Sequence, residues 1–372
     1  NGTTWQVADL ASGTYGDTNS IPGAHFMELI GDTIYFDALG DYQQPTTVGR
    51  EVWAYDTSNH SIWPATSNSF TGSWTGPSGP VAFINDTLYL TARSTLNGAI
   101  QNEVYAHQPS EIAPQSGGSS SGSGSNSNSG TYNGNGTAWM VNDIRSGIAA
   151  SSPHQLTVIG NTLYFSATDG TNGIELWKSD GTTSGTVMVK NILSGGSSSS
   201  SSPARLTAVG NTLYFSAYGS SGTELWKSDG TESGTVLVRD IAPGTGSSYP
   251  GTIGVIGNTL YFSAHDGTNG YELWKSDGTS SGTVMVKDIN SGVGSSSPGY
   301  PTAVGNTVFF IADDGTNGIE LWKSDGTSSG TVMVKDITGS AHSSSPNHLT
   351  AIGNTLYFSA TDGTTNGTEL WK

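Results

Sequence analysis

The chain has no cysteine. Disulfides, thiol catalysis and thiolate metal sites are therefore excluded. Basic residues are also scarce: 13 Lys and Arg stand against 30 Asp and Glu, for a formal net charge of −17. Most of the basic residues recur at equivalent places, such as Lys178, Lys227, Lys275 and Lys323, and build no dense patch. That is not the electrostatic footprint of a nucleic-acid or anionic-membrane binder. No apolar run approaches the ~20 residues of a membrane-spanning helix, and helix-period patterns are absent. The chain opens at Asn1 rather than Met, which reads as a processed or excised piece. What is abundant is Gly, Ser, Thr and Asn, the composition of a secreted all-β protein.

A length of 372 residues suggests two or three domains. An internal repeat overrides that expectation, because each copy is one supersecondary unit. The text GNTLYFSATDGTNGIELWKSDGTTSGTVMVKNI fills residues 160–192, and its ELWK returns at Glu175, Glu224, Glu272, Glu320 and Glu369. Looser copies start at Glu51 (EVWA) and Glu103 (EVYA). A second landmark gives the same count of seven: Gly31-Asp32, Asn85-Asp86, Gly160-Asn161, Gly210-Asn211, Gly257-Asn258, Gly305-Asn306 and Gly353-Asn354. Such pairs supply the positive φ angles of a two-residue hairpin turn. Each is followed by Thr and then, two residues on, by an aromatic.

Each copy reads as four short strands, A to D, separated by Gly, Asp, Asn and Ser turns. Strands B and C carry large side chains on both faces, as with Leu163 and Phe165 against Tyr164. Strands buried on both faces lie between two other sheets. The expected fold is all-β, a seven-bladed β-propeller of four-stranded antiparallel blades spanning residues 1–372. Blade two carries a Gly/Ser-rich insertion, residues 108–136, of flexible-linker composition. The seventh copy stops after its ELWK, and GTTWQVADL at residues 2–10 matches GTVMVKDI at 330–337. The N-terminal segment is thus expected to pair into the last blade and close the ring. Donation of the same strand to a neighbouring molecule is the alternative, giving a dimer or filament.

The repeat resembles the ELWxSDGTxxGTxxVxDI repeats of secreted and cell-surface proteins of bacteria, closely from Gly160 to Lys372 and loosely before that. The resemblance implies a propeller in an extracellular setting and brings no general catalytic activity. The strand order is also similar to that of kelch-type and quinoprotein propellers, but no dehydrogenase cofactor ligands are present. SDGTxxGT lacks the spacing and closing Trp of a sialidase Asp box.

Four sets of residues are candidates for chemistry. The repeated Glu could serve acid/base work, yet a residue written into every blade is more simply a structural hydrogen-bonding element. The repeated Trp (Trp53, Trp177, Trp226, Trp274, Trp322, Trp371) could stack on sugars, but mid-strand it should be core. Asp169, Asp266, Asp314 and Asp362 open DGTNG-type turns; calcium is one expectation for them, an Asx turn the other. Function should sit where blades differ. At the start of strand A stand Gln155, Arg205, Tyr300 and His348, with Glu28 two residues further along in the first copy. These five form the candidate ligand-binding set at one mouth of the channel, with idle variation on an exposed rim as the alternative. No Ser-His-Asp spacing, phosphate loop or His-rich motif is present.

The function expected is a non-catalytic extracellular or cell-surface binding or scaffold module, with a glycan or surface protein as partner and no cofactor beyond calcium. A polysaccharide hydrolase or lyase with its site at the channel mouth is the second reading. A self-assembling filament or surface-layer subunit is the third.

Overall fold

The computed structural model describes residues 27–30, 33–39, 50–56, 62–64, 82–84, 87–96, 99–107 and 138–140, and from residue 141 onward everything except 147–148, 340–341 and 364–366. The insertion at 108–136, the N-terminal segment, and the turns at 31–32 and 85–86 lie outside the described residues. The chain divides into two compact units, residues 1–170 with 179–187 and residues 171–178 with 188–372.

The first unit holds β1 (Met27–Ile30), β2 (Thr33–Leu39), β3 (Arg50–Asp56) and β4 (Ile62–Pro64), one antiparallel sheet in chain order. A second sheet follows, β5 (Ala82–Ile84), β6 (Thr87–Leu96), β7 (Ala99–His107) and β8 (Ala138–Met140), again in chain order. The hairpin of β9 (His154–Ile159) and β10 (Thr162–Thr168) completes this unit.

The second unit opens with β11 (Ile174–Ser179) and β12 (Val187–Lys190). Three complete four-stranded antiparallel sheets come next. They are β13 (Ala204–Val209) to β16 (Val236–Arg239) through β14 (Thr212–Gly219) and β15 (Gly222–Ser228); β17 (Gly251–Ile256), β18 (Thr259–His265), β19 (Tyr271–Ser276) and β20 (Val284–Lys287); and β21 (Gly299–Val304), β22 (Thr307–Asp313), β23 (Ile319–Ser324) and β24 (Val332–Lys335). The last sheet has three strands, β25 (Asn347–Ile352), β26 (Thr355–Thr361) and β27 (Thr368–Trp371). All described strand pairs are antiparallel, and the sheets are propeller-like blades.

The A–B hairpin turns differ from expectation in one respect. Gly160, Gly210, Gly257, Gly305 and Gly353 lie at φ 57–59°, whereas the Asn that follows each does not take a positive φ. Gly alone at the first central position is the type II′ solution, whose twist suits the flanking strands. The Asn therefore contributes no left-handed residue.

Within the second unit, neighbouring sheets pack face to face. Tyr261, Leu273, Val286 and Ile289 of one sheet meet Val308, Phe310, Ala312 and Trp322 of the next in a single buried cluster. The preceding interface repeats the scheme with Tyr214, Leu225, Val238 and Ile241 against Leu260, Phe262, Ala264 and Trp274. Trp177, Trp274 and Trp322 are thus core, as their mid-strand position implies, and Trp226 and Trp371 are partly buried. Polar ties reinforce each interface. Lys178, Lys227 and Lys275 each donate from Nζ at 2.8 Å to a carbonyl in the SDGT turn one repeat later: Gly230, Gly278 and Gly326. Gly278 must be glycine on two counts: its φ is 87°, and an added Cβ would lie 2.2 Å from the Tyr214 hydroxyl.

Candidate functional site

The repeated Glu carries the structural role. Glu175, Glu224, Glu272 and Glu320 are all 0% exposed. Glu224 accepts from the Ile241 N–H at 2.9 Å, the Ser248 N–H at 3.1 Å and the Ser248 hydroxyl at 2.6 Å. Ile241 follows strand D, and Ser248 precedes strand A of the next sheet. One carboxylate therefore pins the crossover between sheets. Glu272 repeats the arrangement with Ile289 and Ser296, and Glu320 with Ile337 and Ser344. Burial pushes the carboxyls of Glu175, Glu224 and Glu272 upward, and the Ser hydroxyl and backbone donors hold them back. These groups are sealed and fully engaged, so none is placed to meet a substrate.

The DGTNG turns consume their own aspartates. Asp266 Oδ1 accepts from the Thr268 and Asn269 N–H groups, both at 2.8 Å, and Oδ2 accepts from the Asn269 amide at 2.8 Å. Asp314 is bonded in the same way by Thr316 and Asn317. Burial works to raise both carboxyls, but the donors outweigh it and hold them below the usual range. This is Asx-turn geometry. Asp169 and Asp362 occupy the equivalent slots, and no cluster of three or more potential ligating side chains (His, Cys, Asp, Glu) occurs among the described residues.

The set at the start of strand A has an unforeseen backbone. Gln155, Arg205, Tyr300 and His348 all lie at positive φ, at 59°, 58°, 49° and 54°. In each strand the register to strand B slips at this point, between Ala204 and Thr207, Gly299 and Thr302, and Asn347 and Thr350. Two residues here oppose one, which is a β-bulge. Local hydroxyls brace it. Ser216 and Ser359 donate to the carbonyls of Ala204 and Asn347, and Thr207 and Thr350 to those of Arg205 and His348. The bulge also breaks the period-2 alternation that would place Arg205 and Thr207 on one face of the strand. In the first unit, β9 carries Gln155 at the same slot; Glu28 lies in β1 opposite Tyr35. In the second unit β13, β17, β21 and β25 are successive neighbours, so Tyr300 and His348 stand on adjacent strands. Arg205 is one strand removed from Tyr300. All three are exposed, Tyr300 by 61%.

The same edge holds an aromatic group that the repeat landmarks pass over. Tyr249 is 58% exposed and lies at φ 45°, in a slot that is Ser in the other described copies (Ser152, Ser202, Ser297, Ser345). The Tyr271 ring packs 5.6 Å from His265. Burial, with the Tyr249 phenol nearby, pushes the Tyr271 phenol up. His265 donates its backbone N–H to the Ser248 carbonyl, and Tyr249 donates to that of Thr223, whose cross-strand partner is the exposed Tyr218. Tyr249, His265 and Tyr271 thus gather, and backbone register places Tyr218 on the neighbouring sheet beside them. The signal was available by comparing slots: Tyr271 stands where Ile174 and Ile319 stand, and His265 where Thr168 and Asp313 stand.

No known protein family matches the chain, and no curated protein is a significant match by sequence. Solved structures do match. A prolyl endopeptidase aligns with a TM-score of 0.51 at 10% identity, over 93% of this chain and 49% of that one. A puromycin-hydrolyzing peptidase from Mycobacterium tuberculosis aligns with a TM-score of 0.48 at 10% identity, over 91% and 50%. The likeness concerns the fold alone. The chain spans about half the length of the solved chains it matches.

Proposed function

We propose that the chain is a seven-bladed β-propeller, closed by its N-terminal segment, that acts outside the cell as a non-catalytic binding module. Its contact surface is the edge where the strand-A bulges emerge, and its partner is a glycan.

One observation carries the reading. A left-handed residue costs an L side chain roughly 1–2 kcal/mol, and glycine relieves that cost. The chain has 52 glycines and places many of them at left-handed positions, while Ser152, Ser202, Tyr249, Ser297 and Ser345 hold a second non-glycine left-handed slot three residues before the bulge slot. At the bulge it keeps Gln155, Arg205, Tyr300 and His348 instead. A position held in one strained backbone state while its side chain changes freely is where binding chemistry is expected. The aromatic group beside it adds apolar ring faces with phenol and imidazole edges, suited to a neutral sugar in a protein of net charge −17.

The test is a glycan array on the purified chain, in calcium and in chelator, with Arg205→Ala/Tyr300→Ala as the second sample. Saturable binding that the double variant loses while still folding supports the reading. A partner bound equally by the double variant places the site elsewhere. Binding only in calcium assigns Asp169, Asp266, Asp314 or Asp362 to a metal. No glycan binding in either buffer turns the search to surface proteins.

A further inference from the structure

We infer that Tyr249, His265 and Tyr271 form a single saccharide subsite, which stacks a neutral pyranose on tyrosine rings, donates to one of its oxygens from His265 Nε2–H, and turns uronates away. The inference deepens the glycan reading above and rests on it.

Three departures from the repeat meet in one place. Tyr249 stands where Ser152, Ser202, Ser297 and Ser345 stand, His265 where Thr168 and Thr361 stand, and Tyr271 where Ile174 and Ile319 stand. The three slots are separate in sequence, yet all three changes fall in the same repeat. Tyr249 lies in the crossover before β17, His265 ends β18 and Tyr271 opens β19. His265 and Tyr271 are directly opposite in the ladder. Their rings are inclined by 51°, a tilted aromatic pair. The Tyr249 phenol lies close enough to that of Tyr271 to act on it electrostatically. Tyr249 is exposed and the other two are half-buried, so ring surface is open to a ligand.

The backbone fixes what the imidazole offers. The Gly267 N–H donates to His265 Nδ1 at 2.9 Å. A backbone N–H can only donate, so Nδ1 is the bare nitrogen and the neutral ring carries its proton on Nε2. In other repeats Thr168, Asp313 and Thr361 hold the same turn through oxygen, accepting from the N–H groups of Gly170, Gly315 and Gly363. Histidine does the same work with one nitrogen and keeps a donor on the other. Among the described residues, no hydrogen bond engages His265 Nε2 or the phenols of Tyr249 and Tyr271. One N–H donor and two phenols around exposed ring faces suit a pyranose, with its apolar C–H face and its rim of hydroxyls. The charged group beside the imidazole is the Asp266 carboxylate. With a net charge of −17 on the whole chain, a carboxylate on the sugar would meet like charge here.

The sister repeats supply variants that keep the fold. Tyr249→Ser/His265→Thr/Tyr271→Ile restores at each slot a residue that other copies carry, and the threonine hydroxyl still accepts from Gly267. The full chain, this triple variant and Arg205→Ala/Tyr300→Ala are compared on an array of neutral hexose oligosaccharides and their uronate counterparts, with Tm as the check on folding. The native chain is expected to bind neutral members and to bind uronates about tenfold more weakly or less. The triple variant should lose about tenfold or more at unchanged Tm. If it unfolds, His265→Thr alone is read in the same way. Native-like binding by the triple variant overturns the subsite, and equal binding of uronates overturns the selection by charge. Loss only in the Arg205→Ala/Tyr300→Ala protein removes the subsite and leaves the glycan reading. Loss only in the triple variant keeps the subsite and takes the bulge out of that reading. No binding to any member overturns both. One measurement needs no sugar: long-range nitrogen–proton NMR spectra should show the His265 proton on Nε2, and a proton on Nδ1 in the neutral ring overturns the donor assignment.

Discussion

Glu224 and Arg205 belong to the same repeat, and the chain treats their slots in opposite ways. The Glu slot is one residue type throughout, fully buried in its four inner described copies and bonded to the same donors each time. Four copies of the Arg205 slot share a backbone, a bulge at positive φ, and differ in side chain: Gln155, Arg205, Tyr300 and His348. The interior spends its identity on holding sheets together. The bulged edge holds geometry constant and leaves the chemistry variable. On the proposed function, stability belongs to strands B, C and D, and recognition to the start of A and the adjoining end of B.

This division predicts how substitutions should sort. The largest effect is expected from Trp274→Ala, which empties a site packed against Phe262 in a buried interface. A loss of about 3–5 kcal/mol by denaturant unfolding is the expectation, with binding by the residual folded protein unchanged. Glu224→Ala comes next. It strands the Ile241 and Ser248 donors without an acceptor and should cost about 3 kcal/mol.

Acidification should act in the opposite sense to ordinary acid denaturation. The carboxyls of Glu175, Glu224 and Glu272 are raised in the folded state above their ordinary value of 4.5. A raised group contributes its stability below the unfolded value and loses it as pH rises through the folded value. Stability should therefore rise as pH falls from 7 toward 4.5. Below the ordinary Asp range the sign reverses, because Asp229, Asp277 and Asp325 are held low, chiefly by the hydroxyls of Thr231, Thr279 and Thr327. Thermal melts across pH 3 to 8, scanned in about half-unit steps, would show the maximum on the acid side of neutral. A monotonic decline from pH 7 downward would contradict the burial argument. The smallest effect is Tyr300→Gly. Relief of the left-handed strain should raise stability by up to about 1 kcal/mol while weakening ligand binding.

The blade text was legible because it is written repeatedly: the strand limits of the complete sheets, the buried Glu and the core Trp all follow from periodicity and repetition. The bulge was not legible. Period-2 reasoning carries Arg205 and Thr207 to one face, and only the register slip shows that an extra residue intervenes. No Gly marks the bulge, so the usual sequence signal for a left-handed residue is missing. The aromatic group at Tyr218, Tyr249, His265 and Tyr271 was hidden for a different reason. Its members occupy three different slots of the repeat, and only the fold brings those slots to one edge.

The most direct test of the division is a paired measurement on Arg205→Gly/Tyr300→Gly/His348→Gly. Its unfolding free energy and its glycan-array profile are compared with those of the native chain. The account predicts equal or higher stability together with loss of the glycans that the native chain binds. Unchanged binding, or a substantial loss of stability, would contradict it, because the bulge side chains would then serve the fold rather than a ligand.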